Sequence, residues 1–453
     1  YGGSLCRRLP PYLYHSMKSR FITLFAALGM LAMNTSAQSA VDDFADSLSR
    51  HHKLIYVDGR PAPAATQAYV DSVRAVISNF YYDQFRHFQD PEAPYFMFLS
   101  KDASLAMGIG GAVRMRAYYD WGGAIPASGF APYLIPMEPN PASMRHFGTT
   151  PAGTCLFFRV IGRNKTLGNY QLYIEANFNG YNSRDFHLKK AYAVINNFTV
   201  GYAPSTFSDP AAIAPTVDAQ GPANKIAPTA VLVRYMPQWG NWSAGVSAET
   251  PSPAIDTDDV HTAKLDDWMP DFAALVQYQW ARGQHLRLSG IVRTLGYRDI
   301  ASARNHHMAG WGLQLSCVAH PLHPLTTYAN INYGAGYESL GGDLLIGKYD
   351  LVADPDNAGR MYAPRALGWS IGIQYNFRPN LFATIVASQT RYLPSKQIPA
   401  DMYKTGIFTA ANVFWYMTPR MAIAAEIDFG VRRDFSRRQR HAQRVGAMCQ
   451  FSF

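Results

Sequence analysis

The sequence predicts an all-β protein, a transmembrane antiparallel up-and-down β-barrel of about 16 strands with a short N-terminal periplasmic helical segment. Three observations predict this class: apolar residues with a period of two, loops of alternating length, and an apolar stretch near the N-terminus. A period of two places apolar side chains on one face of a strand and polar side chains on the other. After that N-terminal stretch, no run of about 18 apolar residues occurs, so no transmembrane helix is expected.

Residues 1–37 are assigned to upstream sequence and a signal peptide. Residues 1–16 precede the first methionine and are interpreted as lying upstream of the start. Residues 17–37 begin with basic side chains, continue with a nearly unbroken apolar stretch and end on small residues. This order is typical of a secretory signal peptide that is removed. An uncleaved membrane anchor is the alternative.

Composition restricts the possible partners. The chain has 41 Lys and Arg against 32 Asp and Glu, and only 16% of its residues are charged. Four of the basic residues leave with residues 1–37, and the remaining excess is too small to indicate nucleic-acid binding. Cys155, Cys317 and Cys449 are scattered singly, so neither a disulfide framework nor a metal site is expected. No cofactor is expected either.

Residues 38–102 are predicted to form an N-terminal periplasmic segment that contains a helix over residues 66–89. The apolar residues of this helix recur at spacings of three and four: Val70, Val73, Ile77 and Phe80. Such a seam can pack against a second copy in a coiled coil, or against the mouth of a barrel. Both alternatives remain open.

Residues 103–453 are predicted to form the barrel. The candidate strands are 103–119, 153–164, 168–181, 184–197, 198–203, 228–238, 241–250, 270–282, 284–297, 308–320, 325–338, 366–378, 381–391, 404–418, 420–432 and 438–453. Several are close to the length that crosses a bilayer when tilted. The last strand alternates up to the terminal aromatic Phe453, an ending that resembles the last strand of bacterial outer-membrane barrels.

Loop length follows the parity of the strands. Tight turns follow the even-numbered strands, and the loops after odd-numbered strands are mostly long: 120–152, 204–227, 251–269, 298–307, 339–365 and 392–403. An up-and-down barrel shows this asymmetry when one end faces the outside and the other faces the periplasm. Closure also removes the unpaired strand edges that lipid cannot hydrogen-bond.

Aromatic residues near the strand ends are predicted to form two girdles at the membrane interfaces. Ordinary packing at sheet edges is the alternative. The residues are Tyr118, Tyr119, Trp121, Tyr181, Trp239, Trp242, Trp268, Tyr297, Tyr337, Trp415 and Tyr416.

The polar faces of the strands predict a basic lumen. The basic residues placed inside by alternation are Arg114, Arg116, Arg159, Arg163, Lys189, Arg234, Arg287, Arg293, Arg378, Arg440 and Arg444. The fewer acidic residues there are Glu175, Glu249, Glu426 and Asp428. A charge facing lipid costs about 2–4 kcal/mol at the bilayer midplane, which favours the lumen side. Basic residues around an aqueous pore attract anions, but these arginines can instead pair with lumen acids and brace the wall.

Loop 204–227 carries the most specific motif. The stretch from strand 198–203 through this loop resembles DcaP-like trimeric outer-membrane porins, in which a strand enters a loop folded into the pore. The matching residues are Lys189, Lys190, Ala191, Tyr192, Gly201, Ser205, Phe207, Asp209, Asp218, Gly221 and Pro222. The resemblance implies a homotrimer, a helical periplasmic N-terminal part and uptake of small anionic solutes.

The sequence therefore predicts a porin of the bacterial cell outer membrane, in contact with outer-membrane lipid, that lets small hydrophilic, anionic solutes diffuse passively. The constriction is predicted at the inward-folded loop, through Ser205, Phe207, Asp209, Asp218 and Lys225. No enzymatic activity is expected. Two alternatives remain: a surface-binding or adhesive barrel that uses loops 120–152 and 339–365, and a barrel hydrolase that uses Ser316 with His320 or His323.

Overall fold

The computed structural model describes residues 53–56, 83–91, 94, 96–100, 104–138, 140–164, 166, 168–178 and 186–453. The predicted signal peptide and residues 66–82 of the predicted helix lie outside the described residues. The remaining part of that prediction, residues 83–89, forms turns. In the described part of the chain, no helix is long and apolar enough to cross a membrane.

Sixteen antiparallel strands form one closed barrel, which confirms the predicted fold class. In chain order, β1 to β16 are Leu105–Trp121, Arg145–Thr150 with Cys155–Asn164, Gly168–Phe178, Phe186–Ile195, Phe198–Pro204, Thr229–Tyr235, Trp242–Glu249, Asp271–Ala281, Gln284–Asp299, Arg304–Leu322, Leu325–Ala335, Arg365–Arg378, Leu381–Leu393, Tyr403–Thr418, Met421–Asp434 and Gln439–Ser452. Each strand pairs with the next, and β16 pairs with β1 from Gln443↔Trp121 to Ser452↔Ala112. This last pairing closes the barrel.

The alternation of loop lengths is confirmed, with one correction. Long connections such as 205–228, 250–270 and 336–364 lie at one end, and tight turns such as 196–197 lie at the other. Residues 145–150, predicted as loop, instead belong to β2, because they pair with the outer half of β1. The sequence Arg-His-Phe-Gly-Thr-Thr does not alternate between apolar and polar residues, so periodicity does not reveal it as a strand.

The outer surface of the barrel is apolar. In β12, the side chains of Trp369, Ile371, Ile373 and Tyr375 all point outward and are exposed, and most of the other strands also carry exposed apolar side chains on their outer face. The inward side chains of the strands include most of the buried polar and charged residues of the barrel, among them Arg287, Ser316, Asn412 and Arg444, together with buried aromatic and small apolar residues. A closed barrel with an apolar outer surface suits a lipid environment, as in outer-membrane barrels.

The prediction of two aromatic girdles is correct for some of the named residues and wrong for others. Tyr119, Trp239, Trp242 and Trp415 are exposed on the outside of the barrel, as a girdle requires. Tyr297 and Tyr337, predicted for the same girdles, are buried: Tyr297 stacks on His306 and Tyr337 packs edge-on against Phe207. They are buried because the outer loops fold back over these strand ends.

Short strands decorate both ends of the barrel. At the periplasmic end, Phe96–Leu99 pairs with the start of β1 and with the parallel strand Lys53–Tyr56. At the outer end, Ile255–Asp256, Leu351–Ala353 and Met361–Tyr362 form a three-stranded sheet. This small sheet joins the loop between β7 and β8 to the loop between β11 and β12.

Candidate solute pathway

Residues 205–228, here called the inner loop, lie inside the barrel between β5 and β6. Ser205, Phe207, Asp209 and Asp218 are all buried there. Four of its residues are prolines, which have no N–H group that burial would leave unsatisfied. The loop is preceded by Gly201, whose φ is 128°. A Cβ atom there would collide with the carbonyl oxygen of Ala191, so only glycine fits.

The first part of the inner loop is anchored through Asp209. Its Oδ2 atom accepts a hydrogen bond from Ser316 Oγ at 2.6 Å and lies 2.7 Å from His285 Nε2. Arg287 approaches its Oδ1 atom at 3.4 Å. Burial opposes ionisation of this carboxyl, but the Arg287 charge and the His285 contact outweigh it and lower the pKa of Asp209 to about 2. Asp209 therefore stays ionised at neutral pH and ties the loop to β9 and β10.

The middle of the inner loop reaches the opposite wall. The backbone N–H groups of Val217 and Asp218 donate to Glu426 of β15 at 2.8 and 2.6 Å. Farther along, the N–H of Ala223 donates to Ser388 of β13 at 2.9 Å. The loop thus crosses the lumen from β5 to the wall formed by β13 to β15.

Arg444 of β16 joins two loops to the wall. Its guanidinium donates to both carboxylate oxygens of Asp120, at 2.6 and 3.0 Å, and to Asp218 of the inner loop at 3.2 Å. It also donates to the backbone carbonyls of Ala127 and Ser128 in the loop after β1. This one buried side chain therefore holds two loops inside the barrel.

Three further predicted pore-lining arginines are paired in the same way. Arg293 donates to Asp271 at 2.9 Å and to Asp350 at 3.0 Å. Arg116 lies 3.7 Å from Asp218, and Arg287 faces Asp209. With Arg444, these guanidinium groups brace the wall and its loops, which is the alternative left open by the sequence.

The other predicted pore-lining residues have different surroundings. Arg114 donates to Gln450, Arg234 to the carbonyl of Pro204 and Arg159 to Gln171. Arg440 is half-buried near the outer end of β16. Arg378 is exposed at the turn before β13, where a register shift after Asn376 breaks the alternation that placed it inside.

A β-bulge places two consecutive lysines in the lumen. On β4, Lys190 is opposite Glu175 of β3 and Leu188 is opposite Ala176, so Lys189 is the extra residue. Leu188 faces outward, whereas Lys189 and Lys190 both bond acids inside the barrel. Strict alternation predicts only Lys189 in the lumen. Sequence reasoning therefore missed Lys190, since a bulge has no signature in the periodicity.

Residues 83–91, here called the N-terminal segment, also lie in the lumen, on the periplasmic side of the inner loop. On one wall, the ring centroid of Phe85 lies 3.9 Å from the Cζ atom of the Arg234 guanidinium. Phe88 packs edge-on against Phe382 and Phe414 on another wall, at centroid distances of 5.7 and 5.0 Å. Gln89 donates to the inner loop at the carbonyl of Thr216, at 2.7 Å. The sequence predicts residues 83–89 as the end of a helix outside the barrel and residues 90–91 as part of the periplasmic segment, and it gives no sign of this position in the lumen.

Two cavities flank the N-terminal segment. One, of about 280 Å³, is lined by the basic residues Arg114, Lys189, Lys190 and Lys225 and by the acids Asp90 and Glu175, among others. The second, of about 300 Å³, lies on the other side of the segment, next to β8 to β11. The lumen is thus divided rather than filled, and the first cavity carries an excess of positive charge.

Lys225 is the basic residue that the inner loop contributes to the first cavity. Its Nζ donates to the carbonyl of Ala219 at 2.8 Å and finds no carboxylate within ion-pair distance in the described chain. Burial, followed by the positive charge of Lys189, lowers the pKa of Lys225 to about 8. The amine is therefore charged at neutral pH but loses its proton in mildly alkaline solution.

No protein-family model matches the sequence, and no curated protein matches it either. Among solved structures, the outer membrane channel DcaP of Acinetobacter baumannii superposes with a TM-score of 0.65 at 18% identity, over 78% of this chain and 98% of that one. The chain has the porin fold. An anion-selective porin from Comamonas acidovorans superposes with a TM-score of 0.50 at 10% identity, over 77% of this chain and all of that one. The resemblance seen in the sequence is confirmed at the level of fold, and with it the architecture of an outer-membrane barrel.

Proposed function

We propose that this chain is an outer-membrane porin through which small hydrophilic anions diffuse passively. The observation that carries the proposal is the first cavity, where four basic side chains face two acidic ones inside a closed barrel. Water-filled confinement between low-dielectric walls strengthens the attraction of such an excess for anions. The inner loop narrows the path, and the homotrimer implied by the sequence resemblance is part of the proposal.

The charge that attracts solutes comes from fewer residues than the sequence suggests. The guanidinium groups of Arg293 and Arg444 are neutralised by carboxylates and serve the wall. Four basic side chains border the first cavity instead: Lys225 and Arg114 have no carboxylate partner among the described contacts, and Lys189 and Lys190 are paired with Asp90 and Glu175, so this group keeps an excess of positive charge. We therefore assign anion attraction to this group and bracing to the paired arginines.

The hydrolase alternative has little support in the geometry. Ser316 Oγ donates to Asp209, whereas His320 and His323 lie four and seven residues farther along the chain, so even the nearer His320 is about 13 Å away along the strand. A serine nucleophile needs a base within hydrogen-bond reach. The adhesive alternative has the outer loops as its only candidate surface, and no specific contact favours it.

The proposal predicts anion preference that depends on Lys225. In planar bilayers under a KCl gradient, the reversal potential of the wild type is expected to show anion preference. Lys225→Gln should lower the anion-to-cation permeability ratio by about two- to fivefold, since one charge a few ångströms from the path is worth about 1 kcal/mol. Lys264→Gln, an exposed lysine outside the cavity, is the matched control and should leave the ratio unchanged. Cation preference in the wild type would refute the proposal.

A second prediction concerns pH. Lys225 is protonated below its pKa of about 8 and neutral above it, so anion preference should fall between pH 7 and pH 9.5. In Lys225→Arg the charge persists at all these values, because a guanidinium does not deprotonate there, and the step should disappear. The reversal potential measured at each pH checks this. A step of equal size in the Arg variant would mean that another group titrates.

A further inference from the structure

The Asp90 carboxylate contacts the ammonium groups of both Lys189 and Lys190 on β4, as the carboxylate of a bound ligand would. Its Oδ1 atom lies 2.6 Å from Lys189 Nζ and its Oδ2 atom lies 2.7 Å from Lys190 Nζ. The carboxylate therefore bridges two ammonium groups through charge-assisted hydrogen bonds, which are stronger than bonds between neutral groups. Asp90 belongs to the N-terminal segment, which is not part of the barrel wall and reaches this site from the periplasmic side.

The site also has open space and positive charge beyond what the Asp90 carboxylate fills and neutralises. Lys189 remains 30% exposed toward the cavity, while Lys190 and Asp90 are nearly buried. Glu175 neutralises part of the pair, at 2.9 Å from Lys189 and 3.7 Å from Lys190. Arg114 and Lys225 line the same cavity of about 280 Å³, so the site keeps positive charge even when Asp90 is in place.

We infer that Lys189 and Lys190 form a carboxylate-binding site on the solute pathway, and that the Asp90 side chain is a built-in competitor for it. A permeating carboxylate displaces Asp90 and binds between the two lysines, and it leaves when Asp90 returns. The inference rests on the proposed function and adds to it the residues that hold the solute and the side chain that competes with it. Lys225 and Arg114 line the same cavity and would face a second carboxylate on the solute.

An intramolecular competitor reduces the apparent affinity by the fraction of time the site is occupied, and a tethered group reaches millimolar effective concentration. Asp90→Asn is therefore expected to lower the malonate concentration that half-blocks the chloride current at least about tenfold. Asp83→Asn is the matched control: it lies in the same segment but contacts Tyr192 rather than the lysines. Malonamide, the neutral analogue of malonate, should block none of the proteins.

The lysines are tested in the same background. Adding Lys189→Gln and Lys190→Gln to Asp90→Asn should abolish the gain in malonate block. If Asp90→Asn raises the conductance without changing the half-blocking concentration, Asp90 is only a tether, and the inference is overturned. If the wild type does not conduct at all, the proposed function fails instead, so the two failures are distinguishable.

A measurement on the wild-type protein tests the inference without any substitution, so misfolding of a variant cannot affect the result. The backbone N–H of His87 donates to Asp90 Oδ2 at 2.9 Å, and the N–H of Asp90 donates to the carbonyl of His87 at 3.0 Å. Displacement of Asp90 should break this turn, so malonate should speed hydrogen exchange of these two amides and malonamide should not. Exchange that is unaffected by malonate would overturn the inference without any substitution.

Discussion

Arg444→Ala is expected to lower the free energy of unfolding of the barrel by about 3–5 kcal/mol, the usual cost of removing one partner from a buried ion pair. Asp120 and Asp218 would remain buried without their principal counter-charge, and the carbonyls of Ala127 and Ser128 would lose a donor. Urea unfolding in lipid vesicles measures this loss. Because two loops are released from the wall, the single-channel conductance should also rise.

Arg433→Ala is the control for this variant. Arg433 lies on the neighbouring strand β15 at the same end of the barrel, but it is exposed and bonds only the side chain of Gln439 among the described contacts. Its removal should change the unfolding free energy by less than about 0.5 kcal/mol. Equal losses in the two variants would mean that Arg444 acts through general surface charge rather than through its two carboxylates.

The double variant Phe85→Ala, Phe88→Ala is expected to raise the single-channel conductance about two- to fivefold, since a segment that divides the lumen would leave it. Phe85 is 5% exposed beneath Arg234, and Phe88 packs on Phe382 and Phe414. Truncating a fully buried phenylalanine costs about 3–5 kcal/mol. Phe85 is buried and Phe88 half-buried, so the two truncations remove the main apolar contacts of the segment. Planar-bilayer recordings in symmetrical KCl give the measurement.

Phe96→Ala serves as the comparison. Phe96 lies on the short strand next to the N-terminal segment, but its side chain is exposed on the outside. This variant should conduct as the wild type does. If the double variant also conducts as the wild type does, residues 83–91 do not limit flow, and the path lies through the second cavity or around the segment.

Local periodicity was enough to predict the barrel. In β12 and β16, side chains alternate between lipid and lumen, so the identity of each residue reports the face on which it lies. Turn residues such as those at 379–380 mark the short connections, and the remaining connections must be the long ones. These signals depend on neighbours within one strand, which explains why sixteen strands could be located from one sequence.

The lumen residues were predicted less completely, and particular positions show why. Arg444 and Arg293 lie inside, where alternation places them, but their partners Asp218 and Asp350 come from loops far away in the chain. A β-bulge places Lys190 in the lumen, and a register shift places Arg378 outside it. Neither irregularity changes the composition of its strand, so neither could be predicted from the sequence.

The order of polar and apolar residues along the chain predicts the closed β-cylinder, its lipid-facing surface and the end at which its long loops lie, because each of these depends on the solvent that consecutive side chains meet. Which cations are neutralised by carboxylates depends instead on contacts between segments far apart in the chain. Tertiary structure also brings Asp90 to the lysine pair, although Lys189 and Lys190 lie 99 and 100 positions farther along the chain. Such pairings form when separate segments meet across the lumen, and no local pattern records where they meet.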